Sequence, residues 1–180
     1  MMKRGPWTIL DSETKYKNPW MKVVEHKVIR PDSKEGIYGV VSISSGAYIL
    51  PVDTNGIVYL TKQFRFPINA ESIEAVSGGI DAGENPLDGA KRELKEELGI
   101  EAKLWTPLGV VEPLTSPYNG IQHMYLAQKL TLGESHQEGT ESIILVKATL
   151  EECVQMVMES KIIDAPSCVL ILKANEYLRK

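Results

Sequence analysis

The chain has 180 residues, of which 43% are hydrophobic and 24% charged, and a formal net charge of −4. That length suits one domain with a core of its own. The acidic balance and the lack of any long Lys/Arg run exclude a nucleic-acid partner held by bulk electrostatics, so a phosphate-rich ligand has to meet local cations or bound metal. No window approaches the ~20 apolar residues of a membrane span, and the first apolar run is too short for a signal segment. No membrane partner is expected, and the expected location is cytoplasmic. Cys153 and Cys168 form neither a CxxC pair nor a cysteine–histidine cluster and read as reduced thiols in or near the core.

In chain order, residues 21–66 alternate the strand-like runs MKVVEHKVI, IYGVVSI, AYILPV and IVYLTKQF with the turn signals PDSKEG, SSG and DTNG. This predicts a series of antiparallel strands. Asn55-Gly56 marks the clearest hairpin turn, since both residues tolerate positive φ. A helix over 86–98 follows, with Asn85 as its cap, Pro86 at its first position and Gly99 as its left-handed terminator. Beyond it, 104–111, 122–130 and 142–148 read as strands. Segments 150–159 and 166–178 read as helices, the former from Leu150, Val154 and Val157 at helical spacing. The polar stretch 133–140 reads as a loop. No linker or repeat divides the chain, so 1–180 reads as a single α+β domain with helices flanking a mixed sheet.

The helix at 86–98 belongs to a longer pattern. Gly78, Glu84, Arg92, Glu93, Leu94, Glu96, Glu97, Gly99 and Ile100 satisfy GX5EX7REUXEEXGU, where U is a bulky aliphatic residue. Seven fixed letters at roughly 6 to 7% usage each coincide with a probability on the order of 10⁻⁸ per start position. At helical spacing Leu87, Ala90, Leu94 and Leu98 make one apolar stripe, with Glu93, Glu96 and Glu97 projecting beside it. Three carboxylates at i, i+3 and i+4 repel one another. A hard divalent cation resolves the conflict: Mg²⁺, with Mn²⁺ as a substitute. Gly78, Gly79 and Gly83 let the preceding backbone approach a ligand closely. Arg92 is suited to orient the neighbouring carboxylates by bidentate bonding; a solvent-exposed helix arginine is the plain alternative.

This pattern is the Nudix box, and the chain resembles enzymes that hydrolyse a nucleoside diphosphate linked to another group. KNPWMKVVEHKV, LTKQFRFPI, EAVSGGIDAGE, LTSPYNG, the acidic TES segment and IIDAPSCVLIL extend the resemblance, in an order like that of ADP-ribose and nucleoside diphosphate sugar pyrophosphatases. The resemblance implies the Nudix fold, a mixed β-sheet sandwiched between helices (α/β/α) with amino-terminal antiparallel strands, and a homodimer to which residues 1–50 contribute. It implies Mg²⁺-dependent hydrolysis of a nucleoside diphosphate sugar, of ADP-ribose or GDP-mannose type, to nucleoside monophosphate and sugar phosphate. Glu93 and Glu97 would hold metal with Glu96 beside them and the Ser77 carbonyl joining the shell, while Glu84 would brace the loop or touch metal through water. In such relatives the attacking water gives its proton to a glutamate on a later loop. Glu141, just before a β-rich run, matches that position better than Glu138, and plain loop charge is the alternative for both.

For the substrate, Arg65 in QFRFP is the first choice for a phosphate contact, because guanidinium can bridge two phosphate oxygens; an edge-strand arginine is the alternative. Trp20 and Tyr16 are candidates to stack a nucleobase or to pack in a dimer interface. Glu74 is a candidate partner for a sugar hydroxyl. Two departures leave base and sugar open: ELPAG becomes Glu74-Ala75-Val76-Ser77-Gly78, and SPG becomes Ser116-Pro117-Tyr118, with Tyr118 a ligand or packing residue. Hydrolysis of NADH or coenzyme A is the close alternative. A sensor that binds without cleaving is the distant one, and retention of Arg92, Glu93, Glu96 and Glu97 argues against it.

Overall fold

A computed structural model of the protein describes residues 1–135 and 142–179, so both candidate bases, Glu138 and Glu141, lie outside the described residues. The strands are β1 (Met2–Arg4), β2 (Trp7–Lys17), β3 (Met21–Ile29), β4 (Glu35–Ile43), β5 (Gly46–Pro51), β6 (Ile57–Arg65), β7 (Ala70–Glu74), β8 (Val76–Gly79), β9 (Ile100–Val111), β10 (Tyr118–Asn119), β11 (Gln122–Leu132) and β12 (Ile144–Thr149). The helices are α1 (Pro86–Leu98), α2 (Leu150–Met158) and α3 (Ala165–Leu178). Contacts divide the chain into two units, Met1–Ser44 with Glu112–Ile121 and Ser45–Val111 with Gln122–Lys180. No linker composition marks the division, because the chain leaves and re-enters the second unit through short, ordinary segments.

In the first unit β1 to β4 form an antiparallel meander, and the two-residue β10 adds parallel to β4. Strand pairing begins at Met2, earlier than the hydrophobic pattern suggests. The reason lies in β2, where eight of eleven residues are exposed, so that ladder hydrogen bonds rather than alternation define the strand.

The second unit carries a four-stranded sheet, β8-β5-β11-β9, in which β11 runs parallel to β5, and a three-stranded antiparallel sheet, β12-β6-β7. Side chains alternate across strands. Ala47, Ile49, Tyr125 and Ala127 therefore join the cluster of Ala90 and Leu94 on α1, while Leu50, Met124 and Leu126 join Leu170, Ile171 and Ala174 on α3. Helices thus cover both faces of the four-stranded sheet, the α/β/α arrangement of an α+β fold. Cys153 is buried in the second of these clusters, where burial pushes its thiol pKa up to about 12, and both cysteines are free thiols.

Local chemistry sets the element ends. Asn85 accepts a hydrogen bond from the Leu87 N–H at 3.0 Å, Pro86 opens α1, and Gly99 closes it at φ 65°. At the β5–β6 turn only Gly56 takes positive φ, at 77°. The Asp53 carboxylate accepts from the N–H groups of Asn55 and Ile57 there, so an aspartate holds the turn rather than a pair of left-handed residues. Strands β7 and β8 escape the hydrophobic pattern because β7 buries Ser72 and Glu74. Among the described residues, no helix is long and apolar enough to cross a membrane.

Candidate active site

The loop between β8 and α1 returns to the helix through one residue. Arg92 donates from Nε and Nη2 to the two Glu84 oxygens, each at 3.2 Å, from Nη1 to Glu93 at 2.7 Å and Glu96 at 3.1 Å, and from Nη2 to the Gly79 carbonyl at 2.8 Å. Glu84 also accepts the Asp81 N–H at 2.9 Å. The missing side chain of Gly89 makes its seat, since a Cβ there would lie 2.9 Å from Glu84 Oε2. Arg92, then the Asp81 N–H, hold the Glu84 carboxyl below the usual carboxylate range, and Glu84 first among the three acids raises the Arg92 pKa. In this geometry Glu84 and Arg92 brace the loop against α1.

Glu93 and Glu97 face inward, with the Glu93 side chain 15% exposed and Glu97 4% exposed. Gly78 is the counterpart of Glu93: a Cβ at Gly78 would overlap all three atoms of the Glu93 carboxyl group. Glycine therefore lets a carboxylate lie against the backbone that also carries Ser77. Among the described residues no three acidic, histidine or cysteine side chains converge into a preformed metal cluster. The donor chemistry nonetheless fits a hard divalent cation, because the available groups are carboxylate and carbonyl oxygens, two of the carboxylates are largely buried, and the glycine cradle keeps one beside the backbone.

A second polar group adjoins Ser77. Arg65, at the end of β6, forks onto the Glu74 carboxylate, donating from Nε to Oε1 at 3.0 Å and from Nη2 to Oε2. Glu74 is 4% exposed, so the pair combines a largely buried carboxylate with a half-exposed guanidinium. Tyr48 lies opposite Ser77 across the β5–β8 pair, and burial, with Asp164 and Glu74 adding to it, raises the phenol pKa. Burial likewise raises the Asp164 carboxyl. Arg65, Glu74 and Ser77 are thus brought into one neighbourhood, together with Tyr48, Asp164 and Ser167, for which the sequence offered no role. The Asp-Ala-Pro-Ser run is a helix-cap signature that could have drawn attention to the last two.

The remaining candidates belong to the first unit. Trp20 is 75% and Tyr16 53% exposed, near the β2–β3 turn, where the Asn18 amide donates to the Tyr16 hydroxyl at 3.4 Å. Tyr118 lines a cavity of about 240 Å³ within this unit, with Arg4, Trp7, His26, Tyr38 and Pro117. Trp7 and Tyr38 pack edge to face with centroids 5.2 Å apart, and the Tyr38 and Ser116 hydroxyls lie 2.9 Å apart. Neither Trp7 nor Tyr38 was legible as a cavity residue, since exposed strands carry no spacing signal.

Comparison with known proteins fits this geometry. Residues 43–150 match the NUDIX domain model, and residues 7–41 match the nucleoside diphosphate sugar hydrolase N-terminal domain. The chain is 29% identical over 153 residues to an ADP-ribose pyrophosphatase of Bacillus subtilis (strain 168), covering 83% of each protein. It is 28% identical over 137 residues to a methanol dehydrogenase activator of Bacillus methanolicus, covering 73% of each. A crystal structure of an ADP compounds hydrolase superposes with a TM-score of 0.85 over 99% of this chain and 97% of that one, at 20% identity, which shows a shared fold.

Proposed function

The chain belongs to the NUDIX family and is a Nudix hydrolase, and on that premise we propose that it cleaves the pyrophosphate bond of nucleoside diphosphate sugars, in a Mg²⁺-dependent reaction yielding nucleoside monophosphate and sugar phosphate. The observation that carries the proposal is the pairing of a complete box with an amino-terminal region matching the nucleoside diphosphate sugar hydrolase domain. The B. subtilis relative favours ADP-ribose within that class, and GDP-mannose is the first competitor because the Ser116-Pro117-Tyr118 loop departs from the ADP-ribose pattern.

In this reading Glu93, Glu97 and the Ser77 carbonyl hold Mg²⁺, or Mn²⁺ in its place, with Glu96 beside them. The bound cation neutralises charge on the diphosphate and lowers the pKa of a water. Arg92 orients Glu93 and Glu96 while tying Glu84 and the Gly79 carbonyl to α1, which keeps the loop closed on the carboxylates. Glu141, or Glu138 three positions before it in the sequence, takes the proton of the attacking water. The exposed side of the Arg65 guanidinium meets a substrate phosphate, with Glu74 fixing its plane. Trp20 and Tyr16 stack the base, and the working form is a cytoplasmic homodimer.

Incubation with Mg²⁺ and ADP-ribose, GDP-mannose, UDP-glucose, NADH and nucleoside triphosphates, with products resolved by chromatography, tests the proposal. Release of nucleoside monophosphate from the diphosphate sugars supports it. Binding without turnover across the panel would replace it with the sensor.

A further inference from the structure

The peptide unit joining Glu74 to Ala75 lies where the chain changes sheets. Up to Glu74 the backbone pairs with β6, with Glu74 opposite Thr61; from Val76 it pairs with β5, with Ser77 opposite Tyr48. Ala75 belongs to neither ladder, and it is completely buried. A buried peptide group outside a ladder needs partners from elsewhere. Two hydroxyls supply them: Thr61 Oγ1 donates to the Glu74 carbonyl at 3.3 Å, and Ser167 Oγ accepts the Ala75 N–H at 2.9 Å. Ser167 is itself 0% exposed, and its hydroxyl donates to Asp164 Oδ2 at 2.6 Å. That carboxylate also accepts the Ser167 N–H at 2.9 Å as the cap of α3. The proton is thereby directed to Asp164, which leaves a lone pair of Ser167 for Ala75. Helix α3 is a firm base for this contact, since Leu170, Ile171 and Ala174 are fully buried in the core.

We propose that Ser167, oriented by Asp164, is a positioning residue for the metal-bearing backbone: it fixes the sheet-switch peptide and so the Ser77–Gly78 segment against which Glu93 lies. The proposal rests on the reading of Ser77 and Glu93 as metal-holding groups. Ser77 is two residues beyond Ala75, a span of about 7 Å along a strand, too short to absorb an error at the switch. A displacement of about 1 Å at a reacting centre costs on the order of a hundredfold in rate. The same contact couples the α3 amino terminus to the box, although 92 residues separate Ser167 from Ala75.

The test uses the full chain and Mn²⁺ alone, titrated by electron paramagnetic resonance, together with amide exchange at Ala75. Ser167→Ala should weaken Mn²⁺ binding about tenfold, as loss of groups supporting metal ligands commonly does, and should accelerate exchange at Ala75. The Mg²⁺ concentration for half-activation should rise in parallel. Asp164→Asn, which keeps a weaker oxygen acceptor for the Ser167 hydroxyl, should weaken Mn²⁺ binding less than Ser167→Ala. Thr61→Val, which releases the other edge of the same peptide without changing shape, should move Mn²⁺ binding in the same direction as Ser167→Ala and carries the test if that variant does not fold. Folded Ser167→Ala or Thr61→Val with wild-type Mn²⁺ affinity and lower thermal stability alone would show a merely structural role and overturn the proposal. Weaker Mn²⁺ binding in Ser167→Ala, in a protein whose wild type turns over no nucleoside diphosphate sugar, would uphold positioning and discard the proposed substrate class.

Discussion

Replacing Gly78 by alanine separates metal binding from folding. A methyl group there would occupy the space of the Glu93 carboxyl group, whose three atoms are its nearest neighbours. The carboxyl is the far end of a flexible side chain, so it swings away and the strand stays in place. The loss is the Arg92 Nη1–Glu93 bond of 2.7 Å and the seat beside Ser77. For a largely buried, charge-assisted bond, discounted because Arg92 keeps Glu84, Glu96 and the Gly79 carbonyl, that is about 1 to 2 kcal/mol of stability. In a chain of this length it corresponds to a fall in Tm of about 2 to 8 °C. Metal affinity should fall further: moving a ligand out of place should exceed the roughly 10- to 100-fold typical of lost supporting contacts, or more than about 1.4 to 2.7 kcal/mol. Gly79→Ala is the control, because nothing lies within 4 Å of its Cβ and the carbonyl that Arg92 uses is retained. Differential scanning fluorimetry and Mn²⁺ titration on both variants decide the matter. Wild-type metal affinity in Gly78→Ala, or equal damage in Gly79→Ala, would refute the assignment of Glu93 to the metal.

Glu97→Gln nearly preserves shape while removing a charge, so turnover should fall by more than about a hundredfold with the circular dichroism spectrum unchanged; near-wild-type turnover removes Glu97 from the metal site. Glu141→Gln should lower kcat while leaving Mg²⁺ half-activation within about twofold if Glu141 acts as base rather than ligand, and unchanged kinetics would transfer that role to Glu138. Asp164 offers a pH test. Burial first, with Glu74 adding to it and the Ser167 hydrogen bonds and Arg65 opposing it, raises its folded pKa above the ordinary 3.8. Its contribution to stability is therefore full below 3.8 and is lost as pH rises through the folded value. Urea unfolding should show wild type losing ground to Asp164→Asn as pH climbs from 3.5 towards neutrality, and a constant difference would contradict the shift.

What was legible in the sequence was local. The caps of α1 act within a few residues, so Asn85, Pro86 and Gly99 fixed both ends of that helix without reference to the rest of the fold. The apolar stripe of Leu87, Ala90, Leu94 and Leu98 identified its buried face for the same reason. Strands stabilised by non-local ladders were harder. β2 shows water most of its side chains, and β7 turns Ser72 and Glu74 inward, so alternation is weak in one and inverted in the other. The Arg65–Glu74 fork was hidden because strand register pairs Arg65 with Ala70 and Glu74 with Thr61. The Ser167–Ala75 bond was hidden by sequence separation. The box motif itself exposed Glu84, Arg92 and the three helix carboxylates, but only the folded chain shows Arg92 shared among Glu84, Glu93 and Glu96.

That sharing leads to a further expectation. The box brings three carboxylates, Glu84, Glu93 and Glu96, around a single guanidinium, with Glu97 buried on the same helix. The lysines on the same helix do not help, since Lys91 is drawn to Asp88 and Lys95 to Glu101. Three carboxylates sharing one guanidinium concentrate negative charge where the loop meets α1, partly shielded from water. Folding this segment without a cation therefore works against its own electrostatics, and a cation that binds only the folded arrangement must stabilise it. At a free Mg²⁺ concentration one hundred times Kd the gain is about 2.7 kcal/mol, a rise in Tm of roughly 5 to 11 °C for a chain of this size. The shift should be measured against EDTA at constant ionic strength, so that general screening does not contribute. It should be largely absent in Glu97→Gln, which removes a proposed metal ligand, and retained in Glu141→Gln if that residue is the base. Equal shifts with Mg²⁺ and with the same ionic strength of NaCl would mean that the excess charge is merely screened, and that the box holds no specific cation.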